Sequence, residues 1–202
     1  MGCGTGCLAI ALAATGRTVT GVDPAAASLD VARSKPGSGA VTWIHGDVAA
    51  VPAASADLAV MTGNVAQVFV TDEEWDGVLR AIGAALGPRG YLVFETRSPG
   101  RRAWQEWQAE TAPVRRDVPG SGLVERRLEV TAVDLPFVSF RNTFTFLADG
   151  EVLTSDSTLR FRDRDELEAS LTARGYRVRE VRDAPDRPGR EFVFIAERAV
   201  RR

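Results

Sequence analysis

The sequence is poor in thiols, in histidine and in lysine. Cys3 and Cys7 are its only two cysteines. They stand four residues apart at a glycine-rich turn, which provides neither a disulfide framework nor the ligands of a structural metal site. Reduced thiols acting as small fillers, in a cytoplasmic chain, are the expectation. His45 is the single histidine, and Lys35 the single lysine among 25 lysines and arginines. No apolar run approaches the roughly 20 residues of a membrane span. No basic segment followed by an apolar one marks a secretory signal. A net charge of −2 offers no bulk attraction to nucleic acid or to a membrane surface. The arginine pairs at 115–116, 126–127 and 201–202 are interleaved with acids and read as solvated surface.

What the sequence does have is a turn of alternating glycines, Gly2-Cys3-Gly4-Thr5-Gly6, running into an apolar helical stretch from Leu8 to Ala14. Glycine tolerates positive φ and has no Cβ, so a backbone built from it can press close to a ligand. Strand and helix signals then alternate. Arg17–Asp23 reads as a buried strand stopped by Pro24, and 25–33 as a helix. Val41–His45 is a strand ended by Gly46-Asp47, and Asp57–Thr62 a strand ended by Gly63-Asn64. Thr71 and Glu74 form a capping box for a helix in which Trp75, Val78, Leu79, Ile82 and Leu86 recur at helical spacing. A turn at 87–90 precedes the strong apolar strand Tyr91–Arg97. This alternation argues for an α/β fold with a mostly parallel, doubly wound sheet.

The pattern changes after residue 98. A short helix at 102–110 carries Trp104 and Trp107 on one face, packed against a sheet. Three alternating segments follow, 123–133, 137–147 and 152–161, with Asp149-Gly150 as a hairpin signal. They read as an antiparallel β insertion. A helix at 164–174 and two strands, 176–183 and 191–198, close the chain. The expected organisation is a cofactor-binding part over 1–98, an insertion over 99–163 and a closing part of the same domain over 164–202.

An α/β sheet takes its ligand at the carboxyl ends of its strands. Gly2, Gly4, Gly6, Asp23, Asp47, Asn64 and Arg97 are the residues expected there. Asp23 follows Gly6 by 17 residues at the next strand end, where a carboxylate can accept bonds from two ribose hydroxyls. A dinucleotide fingerprint needs a small residue at the position held by Cys7, which counts against a nicotinamide cofactor and an oxidoreductase.

The glycine turn, Thr20-Gly-Val-Asp23, Gly46-Asp47 and the Gly87-Pro-Arg-Gly90 turn together resemble the class I S-adenosylmethionine-dependent methyltransferases. The resemblance covers residues 1–97, and 164–198 in outline. It implies a Rossmann-like fold, S-adenosyl-L-methionine as cofactor and a small-molecule methyl acceptor. It also implies that Gly2, Cys3, Gly4, Thr5 and Gly6 pass under the methionine part of the cofactor. Asp23 with Pro24 would hold the ribose, Asp47 with Val48 would flank the adenine, and Asn64 would contact cofactor or acceptor. Asn64 and His45 are the candidate catalytic residues, the histidine the weaker of the two. No metal ligand set is present.

One departure matters. The family carries an apolar strand and an acid before this turn, and here Gly2 follows Met1. The strand in question is central, so a sheet missing its middle strand, with unpaired backbone groups and poor cofactor affinity, is expected. A methyltransferase-like module that only binds a partner is the alternative reading.

Overall fold

A computed structural model describes residues 1–199; the Arg201–Arg202 pair and the end of the 164–202 segment lie outside the described residues. The glycine turn enters α1 (Cys7–Ala13), whose Ala9 and Ala13 pack on Val41. β1 (Val19–Asp23) and β2 (Val41–His45) pair in parallel. Between them runs α2 (Ala26–Ser34), which buries Leu29 and Ala32.

β3 (Ala56–Met61) leads through a 3-10 turn to α3 (Asp72–Ala85). The capping box forms: Glu74 N–H donates to Thr71 Oγ1 and Thr71 N–H to Glu74 Oε2. β4 (Leu86–Arg97) begins earlier than the apolar run suggests. It takes in the Gly87–Gly90 stretch, where Arg89 has φ 62° and the register against β3 shifts. The chain closes with α5 (Arg164–Ala173), β9 (Tyr176–Asp183) and β10 (Glu191–Arg198). The resulting sheet runs β3-β4-β10-β9, with β3 and β4 parallel and β10 antiparallel to both neighbours. Its core is Met61, Trp75, Leu79, Ile82, Leu86, Leu92, Phe94 and Phe194.

The pairing therefore divides the α/β layer into a two-stranded and a four-stranded piece. Among the described residues, Met1–Cys3 bridge the two pieces. The Met1 amino group donates to Val60 O of β3 at 2.8 Å, and Cys3 N–H donates to Val22 O of β1 at 3.1 Å. One tripeptide thus touches both edges, so they lie about two strand spacings, roughly 9–10 Å, apart. Burial lowers the pKa of that amino group.

The insertion opens with α4 (Ala103–Ala109) and continues as a second sheet of four antiparallel strands, not three. β6 (Gly122–Asp134), β7 (Phe137–Phe146) and β8 (Val152–Arg160) match the alternating segments. The additional strand is β5 (Val114–Val118), paired with β6. All its residues are exposed, so no apolar alternation announces it. Trp104 and Trp107 pack on Val138, Phe140, Leu159 and Phe161, fastening α4 to this sheet.

Candidate functional site

The turn is built by its glycines and fastened by one carboxylate. Gly2, Gly4 and Gly6 have φ of 63°, 51° and 78°. A Cβ on Gly2 would lie 2.6 Å from Val65 Cγ2, and one on Gly6 would overlap the Trp43 ring and Ala32. A Cβ on Gly4 would meet nothing within 4 Å. Gly2 and Gly6 are thus demanded by packing, whereas Gly4 faces open space. Asp23, buried at the end of β1, accepts Gly4 N–H at Oδ2 (2.7 Å) and Ala25 N–H at Oδ1 (2.9 Å). An ionised carboxylate has about four lone-pair sites, so two remain.

Lys35 closes the other side of the turn. Its ammonium donates to Thr5 O at 2.7 Å and Thr5 Oγ1 at 2.9 Å, and lies 3.1 Å from Cys7 Sγ. The Cys7 thiol is exposed and held below its ordinary pKa by that contact. Burial, then the Asp23 charge, pushes the Cys3 thiol up.

The second strand end is arranged differently from expectation. Pro24 and His45 are exposed, and His45 Nε2 lies 3.0 Å from Pro24 O. Asp47 is exposed and uses Oδ1 to accept Ala49 N–H at 2.8 Å. Val48, which the resemblance assigned to the adenine, is buried in the main core against α3 and its neighbours. An apolar side chain that follows a strand end is taken up by the core when a helix lies within reach.

The third strand end gathers a polar cluster. Asn64 sits in the left-handed region (φ 61°) before the 3-10 turn, 3% exposed, and its Nδ2 donates to Glu191 Oε1 at 2.9 Å. Gln67 Oε1 accepts from Arg97 Nη1 at 2.9 Å, and the Arg97 guanidinium lies 5.2 Å from the Trp107 ring. Glu95 Oε1 accepts Gly63 N–H at 2.6 Å. Residues two apart in a strand share a face, so Glu95 and Arg97 both turn toward this cluster. Burial lowers the Arg97 pKa.

The structure thus brings Gly2–Gly6 and Asp23 together at the end of β1, and Asn64, Gln67 and Arg97 at the third strand end. Val65, the residue after Asn64, touches Gly2 and links the groups. His45 hydrogen-bonds across to Pro24, on β2. Sequence reasoning did not find Lys35, Glu95, Arg187, Glu191 or Arg162. Arg162 is 2% exposed and donates to Phe69 O and Thr71 O at 2.8 and 3.0 Å. Its position between a strand and a helix was the available signal; for Glu191, at the start of an apolar strand, there was none.

An open α/β sheet with a glycine turn and an acid at adjacent strand ends defines a nucleotide-type cofactor fold. Residues 1–90 match the model of the methyltransferase domain family. An uncharacterised methyltransferase of Oceanobacillus iheyensis is 32% identical over 94 residues, which are 46% of this chain and 43% of that protein. The chain therefore matches less than half the length of that curated relative. Two solved structures share the fold. The S-adenosylmethionine-dependent methyltransferase of Clostridium acetobutylicum is 16% identical, with a TM-score of 0.77 over 98% of this chain and 82% of that one. CalS10, an amino pentose methyltransferase of Micromonospora echinaspora solved with its cofactor bound, is 22% identical, with a TM-score of 0.71 over 98% and 81%. Over residues 1–90 the chain is thus similar to the methyltransferase domain family, and as a whole it has the fold of solved S-adenosylmethionine-dependent methyltransferases. Among the described residues no helix is long and apolar enough to cross a membrane.

Proposed function

We propose that this chain binds S-adenosyl-L-methionine at the glycine turn and transfers its methyl group to a small-molecule acceptor. The observation that carries the reading is the open face at Gly4, whose N–H is clamped to Asp23. The residues present suit the cofactor. Gly4 leaves room for close approach, and Asp23 retains acceptor sites for ribose hydroxyls. Asp47 is exposed at the next strand end, where an adenine amine would need an acceptor. When bound, the cofactor supplies a methyl group already activated on a sulfonium. The chain then has to position the acceptor and keep water away. Asn64, Gln67 and Arg97, the last of which lies over Trp107 of α4, are our candidates for this role. The amino pentose acceptor printed for CalS10 supports a small molecule as the acceptor here.

A second reading, a module that binds a partner without catalysis, has one observation in its favour: the α/β layer is in two pieces. Calorimetry with S-adenosylhomocysteine separates the two. Measurable heat that disappears in Asp23→Ala is the expected result. Silence from the folded wild-type chain would sink the methyltransferase reading, and quenching of NADH fluorescence instead would point to a nicotinamide cofactor.

A further inference from the structure

Two buried acceptor atoms stand side by side, beyond the carboxyl end of β3 and at the start of β10, and neither has a donor among the described residues. Asn64 is 3% and Glu191 4% exposed. The bond from Asn64 Nδ2 to Glu191 Oε1 fixes the amide and leaves Asn64 Oδ1 unpaired; Glu191 Oε2 is unpaired as well. Buried acceptors without donors are costly, and they mark where a ligand supplies what the chain does not.

The surroundings say which donor fits. Glu191 and Glu95 bring two carboxylates to the cluster. One cation spans them: Arg187, from the turn between β9 and β10, with its side chain 41% exposed. Its nitrogens are 3.4 Å from Glu191 Oε1 and 3.8 Å from Glu95 Oε2. Charge-assisted bonds of this type are shortest near about 2.7–2.9 Å, so the guanidinium is loosely held. Arg97 donates to Gln67 and lies over the Trp107 ring; it feels the charges of Glu191 and Glu95 but makes no ion pair with either among the described residues, so with Arg187 displaced the two carboxylates are left with one cation between them. Two carboxylates and an amide oxygen present acceptors only. A hydroxyl brings one proton and no charge, whereas a primary or secondary ammonium brings several donors and the matching charge.

We propose that Asn64 Oδ1, Glu191 and Glu95 form the subsite for an ammonium group on the methyl acceptor, and that Arg187 covers it until the acceptor displaces it. This rests on the methyl-transfer reading above and adds the acceptor class, an amine: the bound ammonium gives one proton to the Glu191 carboxylate, whose Oε2 is unpaired, and the freed nitrogen lone pair takes the methyl as the sulfonium C–S bond breaks and S-adenosylhomocysteine leaves. Placement favours it. Asn64 directly precedes Val65, which packs on Gly2 of the turn, and its partner Glu191 stands opposite Arg97, whose guanidinium lies over Trp107 of α4.

The test uses the full chain and two probe ions, methylammonium and tetramethylammonium, as chlorides at equal ionic strength. The readout is the side-chain amide resonance of Asn64, assigned by its loss in Asn64→Asp. Methylammonium should shift that resonance saturably and tetramethylammonium, which has no N–H, should not. Glu191→Gln should weaken the methylammonium response by about tenfold or more, the scale of a lost charged hydrogen bond. Arg187→Ala, on an exposed turn, should strengthen it several-fold. Equal shifts with both ions, no shift with either, or no strengthening in Arg187→Ala would overturn the proposal. S-adenosylhomocysteine calorimetry on the same proteins reads the cofactor site separately. Binding there with no ammonium response removes only the amine assignment, and an ammonium response without that binding removes only the methyl-transfer reading.

Discussion

Gly4 and Gly6 are two residues apart in one turn, and they should fail differently when substituted. In Gly4→Ala the new methyl meets no neighbour. The cost to the fold is the left-handed backbone, about 1–2 kcal/mol. The methyl projects where the cofactor would approach, so affinity for S-adenosylhomocysteine should fall at least about tenfold. In Gly6→Ala the methyl runs into Trp43 and Ala32, adding an overpacking cost of about 1–3 kcal/mol. Urea melts should therefore show the larger loss for Gly6→Ala; equal losses with equal binding would refute the assignment. The two cysteines make a second contrast. Lys35 holds the Cys7 thiol below its ordinary pKa, while burial and Asp23 raise that of Cys3. Thiolate is the reacting form, so iodoacetamide near neutral pH should label Cys7 first and Lys35→Met should slow it. Mass spectrometry of the labelled chain checks both. Glycines and Asp23 were legible in the sequence because their chemistry is local. Glu191 was not: its partner Asn64 is 127 residues away, and an acid at a strand start looks like surface.

At the scale of elements, the slot between β1 and β3 is the feature with the largest energetic consequence. Parallel strands are normally covered on both faces and paired on both edges. Here Met1–Cys3 pair with the carboxyl ends of both strands, at Val60 and Val22. Farther back, Thr20 is exposed and Leu58 is 49% exposed. An engineered chain with five β-branched residues placed before Met1 should extend this pairing along both edges. Each hydrogen bond gained is worth about 0.5–1.5 kcal/mol net. The gain in urea stability should be at least about 2 kcal/mol and should come with tighter S-adenosylhomocysteine binding. The same extension with proline at its centre lacks an N–H there and should gain less. Identical melts for the two extensions would show that the slot does not accept a strand. Most helices and strands were readable from periodicity. β5 was not readable, because an exposed edge strand with Arg115, Arg116 and Asp117 carries no alternation.

Across the whole molecule, the four-stranded sheet and α3 are tied together by a buried phenol. Tyr176, at the start of β9, is 3% exposed and donates its hydroxyl to Leu79 O in the middle of α3 at 2.8 Å. The fold class needed only alternation to be legible, but a tie of this kind spans 97 residues and depends on which side chain reaches a helix carbonyl. Burial raises the Tyr176 pKa above its ordinary value of 10.0, with Arg198 opposing the shift. The sign follows directly. Above pH 10.0 the unfolded chain releases the phenol proton while the folded chain keeps it, so the unfolded state binds fewer protons and stability falls as pH rises. Below that pH the contribution is fully present. Tyr176→Phe keeps the ring and deletes the hydroxyl. It should cost about 0.5–1.5 kcal/mol near neutrality, the net worth of one hydrogen bond. It should also flatten the alkaline decline, because the residue that titrates differently between the two states is gone. Urea midpoints of both proteins measured through the alkaline range give the comparison. Two parallel curves would mean that Tyr176 ionises in the folded chain as it does in the unfolded one, and that the tie between β9 and α3 is not sealed from solvent.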